Sequence, residues 1–476
     1  VPRTPRLAAV RSRARLTLMF SPLCMHYFDR ILVMKTRLLF AAIAAALLAG
    51  AALAQPADLA LAPTISAPVE VAFSRMLAAP AVKAALAAIE ADDERTLRDQ
   101  IELTEIPAPP FKEAVKAAEY LKRVKALGFA DATIDGEGNV IARRAGSGKG
   151  PTLVVSAHLD TVFPEGTDVK VKKQGERYSA PGIYDDNRGL AALLSVMRAM
   201  QSNALKTVGD VWFVATTGEE ELGDLRGVKA LFRDHKNIDG FISLDGLGID
   251  RVVNAATGSR RFKISFIGPG GHSFAAFGMP SATHAMGRAI AKMADVETPS
   301  QPKTTYTVGT VKGGTSVNAI AADAEIGLDM RSNSADELAK LEAKMLAIAR
   351  AAAEDENARW KQPGRVKVDI KLVGDRPAGA QARDSLITQV GVRAAQSLGV
   401  KDFFIGGSST DSNTPIALGI PAITLGGGGV GGGSHSPGEW YSPLNAWRGP
   451  QNTLLAALAL VGVEGVSEPL LVKRGR

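Results

Sequence analysis

A chain of 476 residues is too long for one ordinary domain, and its 46% hydrophobic and 22% charged content is that of a globular protein with a large core. The formal net charge of +7 lies in residues 1–54, which hold eight Lys/Arg and one acid; the remainder is balanced, which excludes a basic nucleic-acid-binding surface. The one cysteine, Cys24, lies in the same leader, so no disulfide and no thiolate metal ligand is expected beyond it.

The leader reads as a targeting signal. From Met34, "MKTRLLFAAIAAALLAGAALAQ" has a positive start at Lys35 and Arg37, then an apolar run from Leu38 to Leu53. That run is shorter than the ~20 residues a membrane span needs. "ALA" at 52–54 before Gln55 is a small-residue cleavage site. Residues 34–54 are therefore read as a secretory signal peptide, and 1–33 as a mis-annotated N-terminal extension. Export without cysteine fits a bacterial periplasmic or secreted protein, free of the membrane after cleavage.

Residues 55–78 are rich in Ala and Pro and are expected to form a loose mature N-terminus. Two helical patterns follow from 79 to 127, broken by "IPAPP" at 106–110. Strand and helix then alternate. "NVIARR", "TLVVSA", "VWFVATT" and "GFISLD" read as strands, with "GLAALLSVMRAM" and "GVKALFRDH" as helices between them. Short continuous apolar runs of this kind predict a mostly parallel, buried sheet. The pattern stops near 257 and resumes near 376 with a helix, the strands "DFFIG" and "PAITLG", and a last helix within 446–464. The interval 257–375 follows the order β-α-β-β-α-β, a ferredoxin-like unit. The expected organisation is an α/β catalytic domain in two parts, 79–256 and 376–466, interrupted by a lid domain at 257–375.

The chemistry-bearing residues follow the core strands: His158 and Asp160 after "TLVVSA", Glu219 and Glu220 after "VWFVATT", and Asp245 after "GFISL". His435 follows "PAITLGGGGVGGGS", and Asp185 and Asp186 precede a helix. In open α/β sheets ligands bind beyond the carboxyl ends of the strands, so these residues can share one cleft. Either aspartate of the pair could simply cap the helix. Carboxylates about 4 Å apart repel by roughly 4 kcal/mol at an effective dielectric of 20, so a cleft of several acids calls for cations. Two histidines and three carboxylates without cysteine form a nitrogen and oxygen ligand set suited to zinc, with cobalt or manganese as alternatives. Five ligands can hold two ions if one carboxylate bridges.

"HLDTV" (158–162), "GIYDDNRG" (182–189), "TTGEEELGDLRG" (216–227), "DG" (245–246), "GPGGHS" (268–273) and "HSPGEWY" (435–441) together resemble the co-catalytic dizinc peptidase and deacylase family. That family includes tripeptide aminopeptidase, glutamate carboxypeptidase, acetylornithine deacetylase and aminoacylase. The resemblance covers about residues 90–466. It implies two Zn2+ per subunit, with Asp185 bridging, His158 and Asp245 on one ion, and Glu220 and His435 on the other. It implies Glu219 as general base and Asp160 as the group orienting the His158 imidazole. His272, Asn318 and Arg331 would be lid groups that hold substrate, with His272 serving a neighbouring subunit in dimeric members. A homodimer through the lid is the corresponding partner expectation.

The family has two acids where this chain has three. Aligning the pair as Glu219–Glu220 leaves Glu221 a bystander; the shifted register makes Glu220 the base and Glu221 the ligand. Asp at 245 and "LTEIPAPPFKEA" lean towards the tripeptide-aminopeptidase branch, with an N-acyl amino acid or terminal-glutamate hydrolase as the alternative. "AGSGKG" (145–150) lacks phosphate-loop spacing and reads as a hairpin turn. "GGGGVGGGS" (426–434) is expected to let backbone approach substrate. His235 and His284 are read as structural or solvated. A serine hydrolase would need a nucleophile elbow, which "GGSST" (406–410) does not provide. A binding protein with a dead site competes poorly, because every candidate ligand is present.

Overall fold

A computed structural model describes residues 62–203 and 205–475. The proposed extension, the signal peptide and the cleavage site lie outside the described residues. The main sheet has nine strands among these residues. Its order is Thr133–Ile134, Val140–Arg144, Asp210–Thr216, Thr152–His158, Gly240–Leu244, Ala422–Leu425, Arg251–Ala256 and Gly379–Ala380, with Phe404–Ser408 also paired to Arg251–Ala256. The four strands from Asp210–Thr216 to Ala422–Leu425 run parallel.

The apolar runs are continuous because both faces of the sheet are covered. Along Thr152–His158, Leu153, Val155 and Ala157 join one core, while Val154 joins the core on the other face. The first core is closed by the helices Asn187–Ser202, Leu386–Ser397 and Arg448–Val461, and the second by Arg226–Asp234. The result is a mixed α/β protein with a mostly parallel central sheet, as the alternation of elements predicts.

The N-terminal expectation is corrected. Ala67–Ala78 is a helix, and Val69, Phe73 and Met76 on one of its faces are fully buried in the main core. That spacing of three and four outweighs the Ala/Pro composition. The catalytic layer thus begins before 79. Between 79 and 127 there are three helices rather than two, Pro80–Ala91, Asp93–Thr104 and Ala114–Ala126. Among the described residues no single helix is long and apolar enough to cross a membrane.

Residues 258–376 form a separate four-stranded antiparallel sheet in the order Thr304–Gly313, Asp323–Ser332, Gly258–Ile267, Lys367–Arg376. The helices Ala282–Ala294 and Ala335–Arg359 pack on it around a core containing Phe266, Ile264, Met293, Ile326, Met330 and Met345. This is the ferredoxin-like order anticipated.

Three local expectations need correction. "AGSGKG" is not a hairpin turn, because Asp210–Thr216 lies between the two strands it connects. The glycine run approaches its own chain rather than open space: a Cβ on Gly426 would lie 2.3 Å from the Leu247 carbonyl oxygen, and one on Gly428 (φ 87°) 2.3 Å from that of Ala446. The strand Arg251–Ala256 is not among the expected strands, although it falls before the point near 257 where the alternation stops.

Candidate metal centre

Parallel pairing places the ends of three adjacent strands on one edge of the sheet. His158 is the last residue of Thr152–His158, Glu219 and Glu220 follow Asp210–Thr216, and Asp245 follows Gly240–Leu244. Asp185 and Asp186 reach this edge from the turn before Asn187–Ser202, and the peptide between them is cis. Asp186 is the helix cap: its Oδ1 accepts from the Gly189 N–H at 3.0 Å and its Oδ2 from the His158 N–H at 2.9 Å. Asp185 is thereby left for the cleft.

The ligand atoms of the predicted residues converge. Three groups each lie within 4.8 Å: His158, Asp185 and Asp245; Asp185, Glu220 and His435; and His158, Glu219 and Glu220. The first two share Asp185. Its Oδ1 is 3.3 Å from His158 Nε2, and its Oδ2 is 3.2 Å from His435 Nε2. His435 Nε2 is also 3.2 Å from Glu220 Oε1. Ser434 donates to Asp185 Oδ2 at 2.8 Å. The buried His158 Nε2 has no hydrogen bond of good geometry, as expected of a nitrogen shaped for a cation.

The electrostatics agree with a cation site. Burial raises Glu220 to about 8 despite its contact with His435, and burial with Asp185 nearby raises Asp245 to about 7. Hydrogen bonds to Asp185 and Glu220 raise His435 to about 10. Burial pulls His158 down, but contact with Asp185 and the surrounding acids raises it well above its ordinary value. Burial opposes ionisation of Asp185, yet His158 and His435 hold its carboxyl below the usual range. Glu220, Asp245 and the two histidines retain protons that offset crowded negative charge, a task that divalent cations perform directly. The donor set, the shared carboxylate and the unpartnered imidazole nitrogen fit a pair of such ions.

Asp160 acts differently from the expectation. His158 Nδ1 lies 3.0 Å from the Asp160 carbonyl oxygen and 3.7 Å from the carboxylate. The carboxylate instead accepts the backbone N–H groups of Glu219 at 3.1 Å and Glu220 at 2.8 Å. One residue therefore holds both neighbouring strand ends.

A cavity of about 700 Å3 opens onto the cluster, lined by Asp185, Glu219, Glu220, Asp245 and His435 together with Phe163, Arg331, Arg376 and Ser409. Arg331, read as a substrate-holding group, lines the cavity with Nε 2.9 Å from Asp329 Oδ2. His272 and Asn318 do not line the cavity. Both are exposed, and they sit together where Gly271–His272 pairs with Ala319–Ile320. Glu221 is outside all three donor groups, as expected, but it does line the cavity. His235 packs edge-on against Trp212, and His284 lies 3.5 Å from Glu356, away from the site.

Three residues were missed. Arg376, at the end of the last strand of the inserted sheet, donates from Nη1 to Glu219 Oε1 at 3.1 Å and from Nη2 to the Glu219 carbonyl. Glu439, fully buried, accepts the N–H groups of Gly182, Tyr184 and Asp185 at 3.1, 2.9 and 3.2 Å. Lys116, also fully buried, donates to Asn187 Oδ1 at 3.1 Å; burial pulls it down to about 7 against the pull of Asp160 and Asp186. Glu439 stood in a motif singled out for His435, and its place four residues further on was its only signal.

The comparisons agree with this geometry. The family model described as peptidase family M20/M25/M40 matches residues 154–457. Carboxypeptidase G2 of Pseudomonas sp. (strain RS-16) is 24% identical over 321 residues, 65% of this chain and 73% of that protein. Uncharacterized protein YqjE of Bacillus subtilis (strain 168) is 26% identical over 350 residues, 70% and 90% of the two chains. Among solved structures, aminopeptidase PepT of Bacillus cereus aligns with a TM-score of 0.62 at 23% identity, covering 76% of this chain and 97% of that one. A Bacillus subtilis dinuclear metal-binding peptidase of the M20 family aligns at 0.58 and 17% identity, covering 78% and 99%. These structural likenesses carry the fold; the family match spans more than half of the chain. With its cluster of candidate metal ligands at the strand ends, the chain belongs to peptidase family M20/M25/M40, whose members are metal-dependent peptidases and amidohydrolases.

Proposed function

We propose that the protein is an exported hydrolase that cleaves an amide bond in short peptides, in the manner of a tripeptide aminopeptidase, with two Zn2+ ions in its cleft. The observation that carries this reading is the pair of donor groups that share Asp185. His158 and Asp245 would hold one ion with Asp185, and Glu220 and His435 the other, with Co2+ or Mn2+ as replacements. Two such ions, when bound, polarise the scissile carbonyl and acidify a water.

The chain's own residues do the rest. Glu219 takes the proton from the attacking water and returns it to the departing amine nitrogen as the C–N bond breaks. Arg376 fixes Glu219 Oε1 through its Nη1, which leaves Oε2 for the proton. This assignment favours Glu219–Glu220 over the shifted register, because Glu220 rather than Glu221 reaches His435. Arg331 on the cavity wall suits a substrate carboxylate through a two-pronged contact. Exposed His272 and Asn318, flanked by Phe274 and Val317 at 88% and 105% exposure, fit service to a neighbouring subunit of a homodimer.

The test is hydrolysis of a mixed panel of di- and tripeptides, N-acetyl amino acids and peptides ending in glutamate, with zinc and with a chelator. Cleavage of tripeptides at the free amino end, lost with chelator and restored by zinc, is the expected result. Activity that survives chelation would overturn the mechanism. Preference for acylated amino acids or terminal glutamate would move the protein to the deacylase or carboxypeptidase branch, which the likeness to carboxypeptidase G2 keeps in view. Export is tested separately, by sequencing the N-terminus of the mature protein, expected at Gln55.

A further inference from the structure

Glu221 is the wall carboxylate that the metal centre does not use. Asp185, Glu219, Glu220 and Asp245 all belong to the donor groups. Glu221 lines the same cavity, is exposed, and its carboxylate makes no hydrogen bond or ion pair among the described residues. Its carbonyl oxygen, by contrast, is held by Arg261 Nη1 from the inserted sheet.

The backbone here is set with some effort. Glu221 has φ 45°, a left-handed value that a residue with a side chain adopts only when its surroundings demand it. It opens a short 3-10 turn, Glu221–Gly223, which the Gly223 N–H closes on the Glu220 carbonyl at 2.8 Å. The turn and Arg261 together fix where this side chain leaves the wall. Each wall arginine already has an acidic partner in the chain. Arg261 and Arg331 each place Nε 2.9 Å from one oxygen of Asp329, and Arg376 is on Glu219. An anion beside the reaction centre without a partner among the described residues is free to meet a positive charge on a substrate.

We propose that Glu221 recognises the free ammonium group of a peptide's amino end, and so selects unblocked peptides over N-acylated ones. This rests on the peptidase reading above and adds a specificity determinant to it. An N-acylated substrate carries no ammonium and gives Glu221 no charge to pair with. A tripeptide with a free amino end presents the charge that Glu221 lacks.

The experiment compares trialanine with N-acetyl-trialanine on the zinc-loaded wild-type protein and on Glu221→Gln and Glu221→Lys. An exposed ion pair corresponds to about a three- to fivefold effect. Glu221→Gln is therefore expected to raise KM for trialanine by about that factor with kcat unchanged. Glu221→Lys is expected to raise it further, and the acetylated peptide to respond to neither change. Equal losses on both peptides, or no loss on trialanine, would overturn the assignment while leaving peptide hydrolysis in place. A wild-type protein that cleaves the acetylated peptide as well as the free one would also overturn it. A wild-type protein that cleaves neither peptide but does cleave N-acetyl amino acids would overturn the aminopeptidase reading itself.

Discussion

Arg376 and Glu219 form an ion pair at 3.1 Å with side chains only 5% and 6% exposed, and it joins the inserted sheet to the candidate base. Removing one partner of such a buried pair leaves an uncompensated charge, at a cost of about 3 kcal/mol or more. Arg376→Met is therefore expected to lower the unfolding free energy by that order and kcat by at least about tenfold, since Glu219 loses both its counter-charge and its fixed oxygen. Arg376→Lys should recover part of each, because it restores the charge without the second donor nitrogen of the guanidinium fork. Denaturant unfolding beside steady-state kinetics checks this; an unchanged kcat in Arg376→Met would remove Arg376 from the machinery.

Glu219→Gln and Glu220→Gln separate base from ligand. The first should retain metal and lose activity by about a hundredfold or more, the scale of general-base catalysis. The second should lose metal as well as activity. Metal content by elemental analysis, measured beside kcat, decides the matter. A fully active Glu219→Gln would transfer the base role to Glu220.

Glu439 supports Asp185 through three backbone N–H groups. In Glu439→Gln an amide NH2 faces at least one of these donors, and the turn before Asp185 should shift. Residues that orient metal ligands typically change affinity by about 10- to 100-fold. A loss of that size in zinc affinity, measured by competition with a chromophoric chelator, is expected while the fold persists.

Stability of the metal-free protein should fall as pH rises from about 5 to 8. Asp245, Asp411 and Glu439 are each raised to about 7, and Glu220 to about 8, first of all by burial. A carboxyl raised in the folded state binds more protons there than in the unfolded chain. Its contribution is complete below the unfolded value of about 4 and is lost as pH passes through the folded value. His435, raised to about 10, acts in the same direction over the upper part of this range. Tm measured in chelator should decline across the interval, and zinc should reverse the decline by replacing the protons. A Tm that climbs with pH in chelator would contradict the arrangement of charges.

Much of this architecture was legible because it is written in burial. "TLVVSA" and "VWFVATT" are continuous apolar strings since their strands are covered on both faces, and the acids that follow them mark the strand ends. Asp185 and Asp186 could not be told apart by type, only by which one reaches the Gly189 N–H. Arg376 stood unmarked at the boundary between two segments, and its role depends on a contact 157 residues away. Asp160 was rightly placed beside the site, but the acceptor for the imidazole is its main-chain oxygen, which no sequence pattern specifies. The small sheet of Lys172–Gln174, Arg177–Ser179, Val430–Gly432 and Trp440–Ser442 has strands of three residues, too short for any periodicity to show.

The position of one strand also bears on how the protein can be made. Ala422–Leu425 lies between Gly240–Leu244 and Arg251–Ala256, two strands that leave the ribosome almost together. When residue 256 has been synthesised, the place between them has no strand of its own to fill it. Residues 258–376 can meanwhile close their own sheet, because all of its strands lie within that segment. The central sheet must wait with two open inner edges until residue 425 arrives, and His435 follows ten residues later. A nascent or truncated chain ending in between carries one finished sheet and one interrupted one. The unpaired edges make it a natural client for a chaperone and a poor candidate for partial activity.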